Sequence, residues 1–268
     1  MRTKSISTKY CIHFFKFIVA LALAAFVFAT TPAKAAVTFS GSAPGNNLPG
    51  ETNSATVVFD LSVSGTTTDL VVTLSNTAGY NPNDSPDILT AVMFTIAGNP
   101  TLTRISGVLD SGSTAVESGT NLTIASGHIG GSWVYQNSLS GAPGGANEGI
   151  SSAGLTGIFG SMGVFPDAAM PDDSSIPDGV GGGITTSADD GSLYNGGLKG
   201  LPLIKHSAVF TLGSVPGSFT LSDISTVSFG YGTIPDQTFP ATLVPEPSSV
   251  ALALAGISLL GLFGRRRR

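Results

Sequence analysis

Residues 55–74 read ATVVFDLSVSGTTTDLVVTL. Ala55, Val57, Phe59, Leu61 and Val63 alternate with Thr56, Val58, Asp60, Ser62 and Ser64. Successive side chains of a strand point to opposite faces, so this alternation sets one face on a core and the other in water. After Gly65 and a threonine run the period resumes, with Leu70, Val72 and Leu74 against Asp69, Val71 and Thr73. Two alternating runs joined by a glycine-containing turn predict a β-hairpin.

Working outward, strands are expected at 37–40, 88–97, 102–109, 121–125, 133–138, 208–212, 219–221 and 226–231, mostly separated by Gly, Pro, Asn or Asp. No segment between these limits carries apolar residues at i, i+3, i+4 and i+7 with caps over three helical turns. Many short strands with turn-rich connections predict an all-β domain, a β-sandwich or jelly-roll-like fold over 36–243. From 141 to 202 glycine and proline crowd the chain. That stretch reads as a long Gly/Asp-rich excursion from the sandwich rather than a second domain, because strand periodicity returns at 208–231.

The two ends are organised differently from the body. Lys4, Lys9 and Lys16 precede an apolar run at 17–29, and Ala33-Lys34-Ala35 then places small residues where a signal peptidase reads. Residues 1–35 are therefore expected to be a signal peptide, cleaved before Ala36. The apolar run is shorter than the roughly 20 residues a permanent membrane helix needs. At the other end Val244-Pro245-Glu246-Pro247 leads into an apolar stretch, and Arg265, Arg266, Arg267 and Arg268 close the chain as a stop-transfer block. A helix over 248–264 is about 25 Å long, less than the roughly 30 Å hydrocarbon core, so it suits a temporary hold. Basic residues outside both apolar segments keep the ends cytoplasmic and the body exported.

Between residues 36 and 244 there are only three basic residues, Arg104, Lys199 and Lys205, against sixteen acids, a balance of −13 where the whole chain has −5. Such a surface repels phosphate backbones, which excludes nucleic acid as a partner. The single cysteine, Cys11, lies in the expected signal peptide. The body therefore has no disulfide and no thiolate chemistry, and its stability must come from packing.

The acids Asp167, Asp172, Asp173, Asp178, Asp189 and Asp190 form the best candidate site, because calcium takes six to eight oxygens and a Gly/Asp loop can supply them. Their spacing is not that of an EF-hand, and a solvated loop explains them as well. The turn Asn81, Asn83, Asp84 and Asp87 is a second candidate, where Pro82 and Pro86 read equally as turn formers. Trp133 and Tyr135, two apart on one strand, share a face and offer either a sugar-stacking platform or core; Tyr80, Tyr194 and Tyr231 lie elsewhere. Enzyme signals are sparse. His128 and His206 are the only body histidines, no nucleophile elbow or metalloprotease helix occurs, and the adjacent pairs Asp172-Asp173 and Asp189-Asp190 are weak candidates for glycoside hydrolysis.

The motif Val-Pro-Glu-Pro-Ser-Ser at 244–249, followed by a short Ala/Leu/Gly-rich helix and a terminal arginine cluster, resembles the PEP-CTERM sorting signal. The resemblance covers about 25 residues. It implies that the chain is a substrate of exosortase, an inner-membrane cysteine protease or transpeptidase of exopolysaccharide-producing Gram-negative bacteria. The partners so implied are signal peptidase and exosortase, the inner membrane transiently, and exopolysaccharide outside the cell. A sortase signal would need Leu-Pro-x-Thr-Gly before the helix, and a GPI tail lacks the arginines. The expected function is a non-catalytic cell-surface or biofilm-matrix protein. A calcium- or carbohydrate-binding lectin-like module and a secreted glycan hydrolase remain as alternatives.

Overall fold

The computed structural model describes residues 36–45, 50–160, 163–171 and 179–245. Among these are fifteen strands. In chain order they are β1 (Val37–Pro44), β2 (Thr52–Ser64), β3 (Thr67–Asn76), β4 (Leu89–Ile96), β5 (Thr103–Leu109), β6 (Thr114–Glu117), β7 (Thr120–Leu122) and β8 (Val134–Asn137). There follow β9 (Glu148–Ser151), β10 (Ile184–Thr185), β11 (Pro202–Lys205), β12 (Ser207–Gly213), β13 (Ile224–Tyr231), β14 (Thr238–Pro240) and β15 (Thr242–Val244). Among the described residues there is no α-helix, only short 3-10 turns, and no helix long and apolar enough to cross a membrane. The chain is all-β. The expected signal peptide and tail helix lie outside the described residues.

The hairpin forms where its alternation predicts, except that Val63, at the turn end of β2, is 71 % exposed instead of facing the core. β2 and β3 pair antiparallel from Ala55–Asn76 to Ser64–Thr67, and Gly65, first of the two turn residues, takes φ 64°. A positive φ there matches the turn to the right-handed twist of the strands. Val57, Phe59, Leu70, Val72 and Leu74 are fully buried, whereas Asp60 and Ser62 face water. The hairpin lies inside a six-stranded antiparallel sheet of order β15-β1-β2-β3-β12-β5.

The second sheet is built on β4, which pairs antiparallel with β13 along one side, and β13 in turn with β14. Along its other side β4 meets β9 over Ala91–Phe94 and β10 at Leu89. β8 extends the first branch, and β11, β6 and β7 extend the second. Among the described residues only the β10–β11 pairing is parallel. Inner-face side chains of both sheets share one core, in which Phe59 meets Phe94 edge-on at 5.0 Å and Trp133 tilts against Phe210 at 4.9 Å.

Instead of leaving the sandwich as an excursion, the described parts of 141–202 are built into it. They supply β9 and β10 and cover the outer face of the second sheet. One cover cluster joins Ala91 and Met93 of β4 to Ala153, Leu155, Ile158 and Phe159. Another joins Ile88, Val116 and Leu203 to Val180, Tyr194 and Leu198. β4 is thereby buried on both faces, which is why 88–97 reads as an almost unbroken apolar run rather than an alternating one. The glycines permit close approach: a Cβ on Gly149 of β9 would stand 2.6 Å from the Phe159 ring.

Two expected strands are corrected. Residues 219–221 are not a strand but lead into a 3-10 turn at Leu221–Asp223, because Thr220 and Asp223 form a capping box there. Of 121–125 only the first residues pair, as part of β7.

Candidate functional site

The chain crosses from the second sheet to the first at Ala241, between β14 and β15. Phe239 of β14 is buried and stacks on Tyr231 at 5.5 Å, and the Ala241 amide donates to the Val227 carbonyl at 2.8 Å. β15 then adds to the sheet edge beside β1, with Ser40 opposite Thr242, Phe39 opposite Leu243 and Thr38 opposite Val244. Because the pair is antiparallel, the start of β1 and the end of β15 lie at the same pole. Ala36, the expected first residue after signal cleavage, precedes β1 directly and is half-buried; Pro245 follows β15 directly and is exposed.

Ala36 and Pro245, the described residues beside the two expected processing points, therefore lie at one pole. Of their residues, Ala36, Val244 and Pro245 are described. Ala33, Ala35, Glu246, Pro247 and Arg265 to Arg268 lie outside the described residues. Nothing in the sequence announces β15, since Thr242–Val244 is three residues set between Pro240 and Pro245.

Three of the six aspartates of the candidate calcium loop are described, and they sit in different settings. The Asp167 carboxylate accepts from the Gly107 amide at 2.9 Å and lies 2.9 Å from His128 Nδ1, tying the segment after Gly163 to β5. Asp189 is buried, and its carboxylate accepts from Thr185 Oγ1 at 2.7 Å, from the Tyr194 hydroxyl and from the Gly191 amide at 2.8 Å. Asp190 is exposed, and hydrogen bonds from the Ser192 hydroxyl, the Ser192 amide and Asn81 Nδ2 hold its carboxyl below the ordinary range. Asp172, Asp173 and Asp178 lie outside the described residues. Among the described residues no three His, Cys, Asp or Glu side chains come together as a cation site.

The turn at 81–87 is explained by its own geometry. Asp84 caps a 3-10 turn, and Asp87, fully buried, accepts from the amides of Asn83 and Asp84 at 2.9 and 3.1 Å. The turn continues into a polar bridge between the sheets. Asn76 Nδ2 donates to the Ile184 carbonyl at 3.0 Å, and Asn76 Oδ1 accepts from the Tyr231 hydroxyl at 3.1 Å.

The sugar-stacking platform is overturned. Trp133 is fully buried against Phe210 with its indole N–H donating to the Gly182 carbonyl at 3.0 Å, and Tyr135 is 2 % exposed. Both are core. Tyr135 also reveals a group that sequence reading passed over, since its hydroxyl donates to the carboxyl of Glu148 on the neighbouring β9. Glu148 is wholly buried, and among the described residues its Oε1 finds no hydrogen-bond partner. Burial pushes its carboxyl up to about 7, with the Tyr135 bond partly opposing. Such a value suits proton transfer, but a carboxyl with no exposed surface is closed to a substrate.

His206 stands at another crossover, between β11 and β12, with φ 89°. Ser207 Oγ donates to Asp110 Oδ2 at 2.8 Å and lies 3.0 Å from both His206 Nδ1 and Ser113 Oγ. The residue types are those of a hydrolytic triad, but the connectivity is not. In a triad the acid orients the histidine and the serine is open, whereas here the acid takes the serine and Ser207 is fully buried. The cluster fixes the corner where the chain changes sheets.

Comparison with known proteins bears on the C-terminal pole alone. No curated protein and no solved structure matches the chain. Residues 243–268, beginning inside β15, match the family model described as the PEP-CTERM protein-sorting motif, so the chain carries the sorting motif of exported, exosortase-dependent proteins.

Proposed function

We propose that this protein is an exported, non-catalytic component of the cell surface or extracellular polymer matrix, processed by signal peptidase at its N-terminus and by exosortase at its sorting tail. The observation that carries the reading is the sorting motif at 243–268, set directly on the last strand of the all-β body. The strongly acidic body, without cysteine, suits life outside the cell among hydrated polymers. In this reading the inner membrane holds the chain only until the tail is removed. The body then works by what its surface adheres to, with exopolysaccharide as the expected partner.

Intact-mass measurement of the protein from cells with and without exosortase activity tests this. The expected result is loss of the tail near Pro245–Pro247 only where the enzyme is present. An intact tail in both strains would overturn the reading. A glycan array and a panel of polysaccharide hydrolysis assays on the mature protein then address adhesion and catalysis separately.

A further inference from the structure

The sorting motif has no linker between it and the folded body. Val244 is both the last residue of β15 and the first of Val-Pro-Glu-Pro, and Pro245 follows with no intervening turn. A peptidase draws several residues on each side of the bond it cuts into its cleft, and residues held in a sheet ladder are not available for that. β15 is poorly held. It is three residues long, it lies at the sheet edge, and all three of its side chains are exposed, with Leu243 58 % and Val244 38 % accessible. Just upstream the attachment is firm, through buried Phe239 and the Ala241–Val227 hydrogen bond. The boundary between what opens and what stays is therefore Ala241.

We propose that β15 is a latch on the sorting motif: exosortase cuts the tail only when Thr242–Val244 has left β1, and the processing rate follows the fraction of molecules with that strand open. The proposal rests on the exosortase reading of the tail. Where opening and closing are fast relative to cleavage, proteolysis tracks the equilibrium population of the open form. A body that has not folded would leave β15 unpaired, and a folded one would meter its own release. After cleavage β15 stays with the body and closes again over the edge of β1.

The test is a reversible lock. Antiparallel partners lie about 4.5–5.5 Å apart at Cα, within the range a disulfide spans. In the full chain carrying Cys11→Ser, Thr38→Cys with Val244→Cys joins β1 to β15. Ser40→Cys with Thr242→Cys does the same outside the motif, so damage to recognition is not mistaken for the lock. Tail removal is followed by mass in membranes containing active exosortase. The expected result is a rate at least about ten-fold lower for the oxidised than for the reduced form of each pair. Inserting Gly-Gly-Ser-Gly-Gly-Ser between Thr242 and Leu243 of the oxidised Ser40→Cys, Thr242→Cys chain, outside the matched residues 243–268, is expected to restore cleavage. Equal rates for oxidised and reduced chains would overturn the latch while leaving exosortase processing standing. A wild-type chain that keeps its tail would instead overturn the processing itself.

Discussion

Thr38 of β1 stands directly opposite Val244 of β15, so residues more than two hundred positions apart in sequence are cross-strand neighbours at the edge of the first sheet. One residue precedes β1 on the mature side of the expected signal cleavage, and none separates β15 from the sorting motif. The first and last strands of the body close on each other, with Ala36 and Pro245 at one pole.

That closure depends on Gly41. A Cβ there would stand 2.6 Å from the Pro240 carbonyl oxygen and 3.2 Å from the Phe239 ring, where the chain passes from β14 to β15. Gly41→Ala is expected to lower stability by about 1–3 kcal/mol, because backbone rather than a flexible side chain must yield. Urea denaturation measures the loss. Limited proteolysis should show faster cutting near 241–245 than in the parent chain.

Gly149 makes the same argument for the outer face of the second sheet. With Phe159 packed over it at Cβ–ring distances of 2.6 and 3.0 Å, Gly149→Ala is expected to destabilise by about 1–3 kcal/mol. Pairing it with Phe159→Leu, which gives up part of the ring's volume, should recover part of the loss in a double-mutant cycle.

Glu148 gives a pH dependence with a defined sign. Its carboxyl holds a proton up to about 7 in the folded protein, against an ordinary 4.5 in the unfolded chain. Below about pH 4.5 both states are protonated. Between the two values the unfolded chain releases its proton first, so this group makes stability fall as pH rises toward about 7 and adds no further change above it. The loss amounts to roughly 1–3 kcal/mol. Glu148→Gln should flatten the urea-denaturation stability profile over that window, with its largest relative gain above about pH 7.

Trp133 is the chain's single tryptophan, so fluorescence reads its site without interference. Full burial against Phe210 predicts blue-shifted emission that aqueous iodide does not quench until the protein unfolds. Quenching in the native state at the rate of a free indole would contradict the packing described.

Asn76 tests the polar bridge between the sheets. Asn76→Ala removes the Nδ2 donor to the Ile184 carbonyl and one of the two acceptors of the Tyr231 hydroxyl, whose other acceptor is the Ser54 carbonyl at 2.8 Å, and is expected to cost about 1–3 kcal/mol. Asn76→Asp, nearly the same shape but lacking the amide donor, should be destabilised as well. A neutral outcome for both would mean that the bridge is dispensable.

Much of the fold was legible because period-two alternation is a local signal. It marked β1, β2, β3, β5, β8, β12 and β13, and the apolar run at 88–97 marked β4. β6, β9, β10, β11, β14 and β15 are two to four residues each, too short to show a period, and several contain Gly or Pro that reads as a turn. They are strands because a neighbouring backbone supplies their hydrogen bonds. Glu148-Gly149-Ile150-Ser151 looks like loop in isolation, yet it pairs with β4 on one side and β8 on the other. The candidate site divides in the same way. The motif at Val244–Pro247 is legible in the residues themselves, whereas Trp133 and Tyr135 left the platform open beside the commoner core reading, and their burial makes them core.

The all-β class, the charge of the body and the sorting motif are written locally in the amino-acid sequence. Each depends on residue type and near neighbours along the chain: alternation, the excess of carboxylates, Pro-Glu-Pro before an apolar run. That the Gly-rich middle covers the second sheet, that Glu148 is buried beside Tyr135, and that β15 lies on β1 are properties of the folded chain. These depend on contacts between residues distant in sequence, and nothing in Thr242-Leu243-Val244 alone specifies that Thr38 will be opposite its last residue.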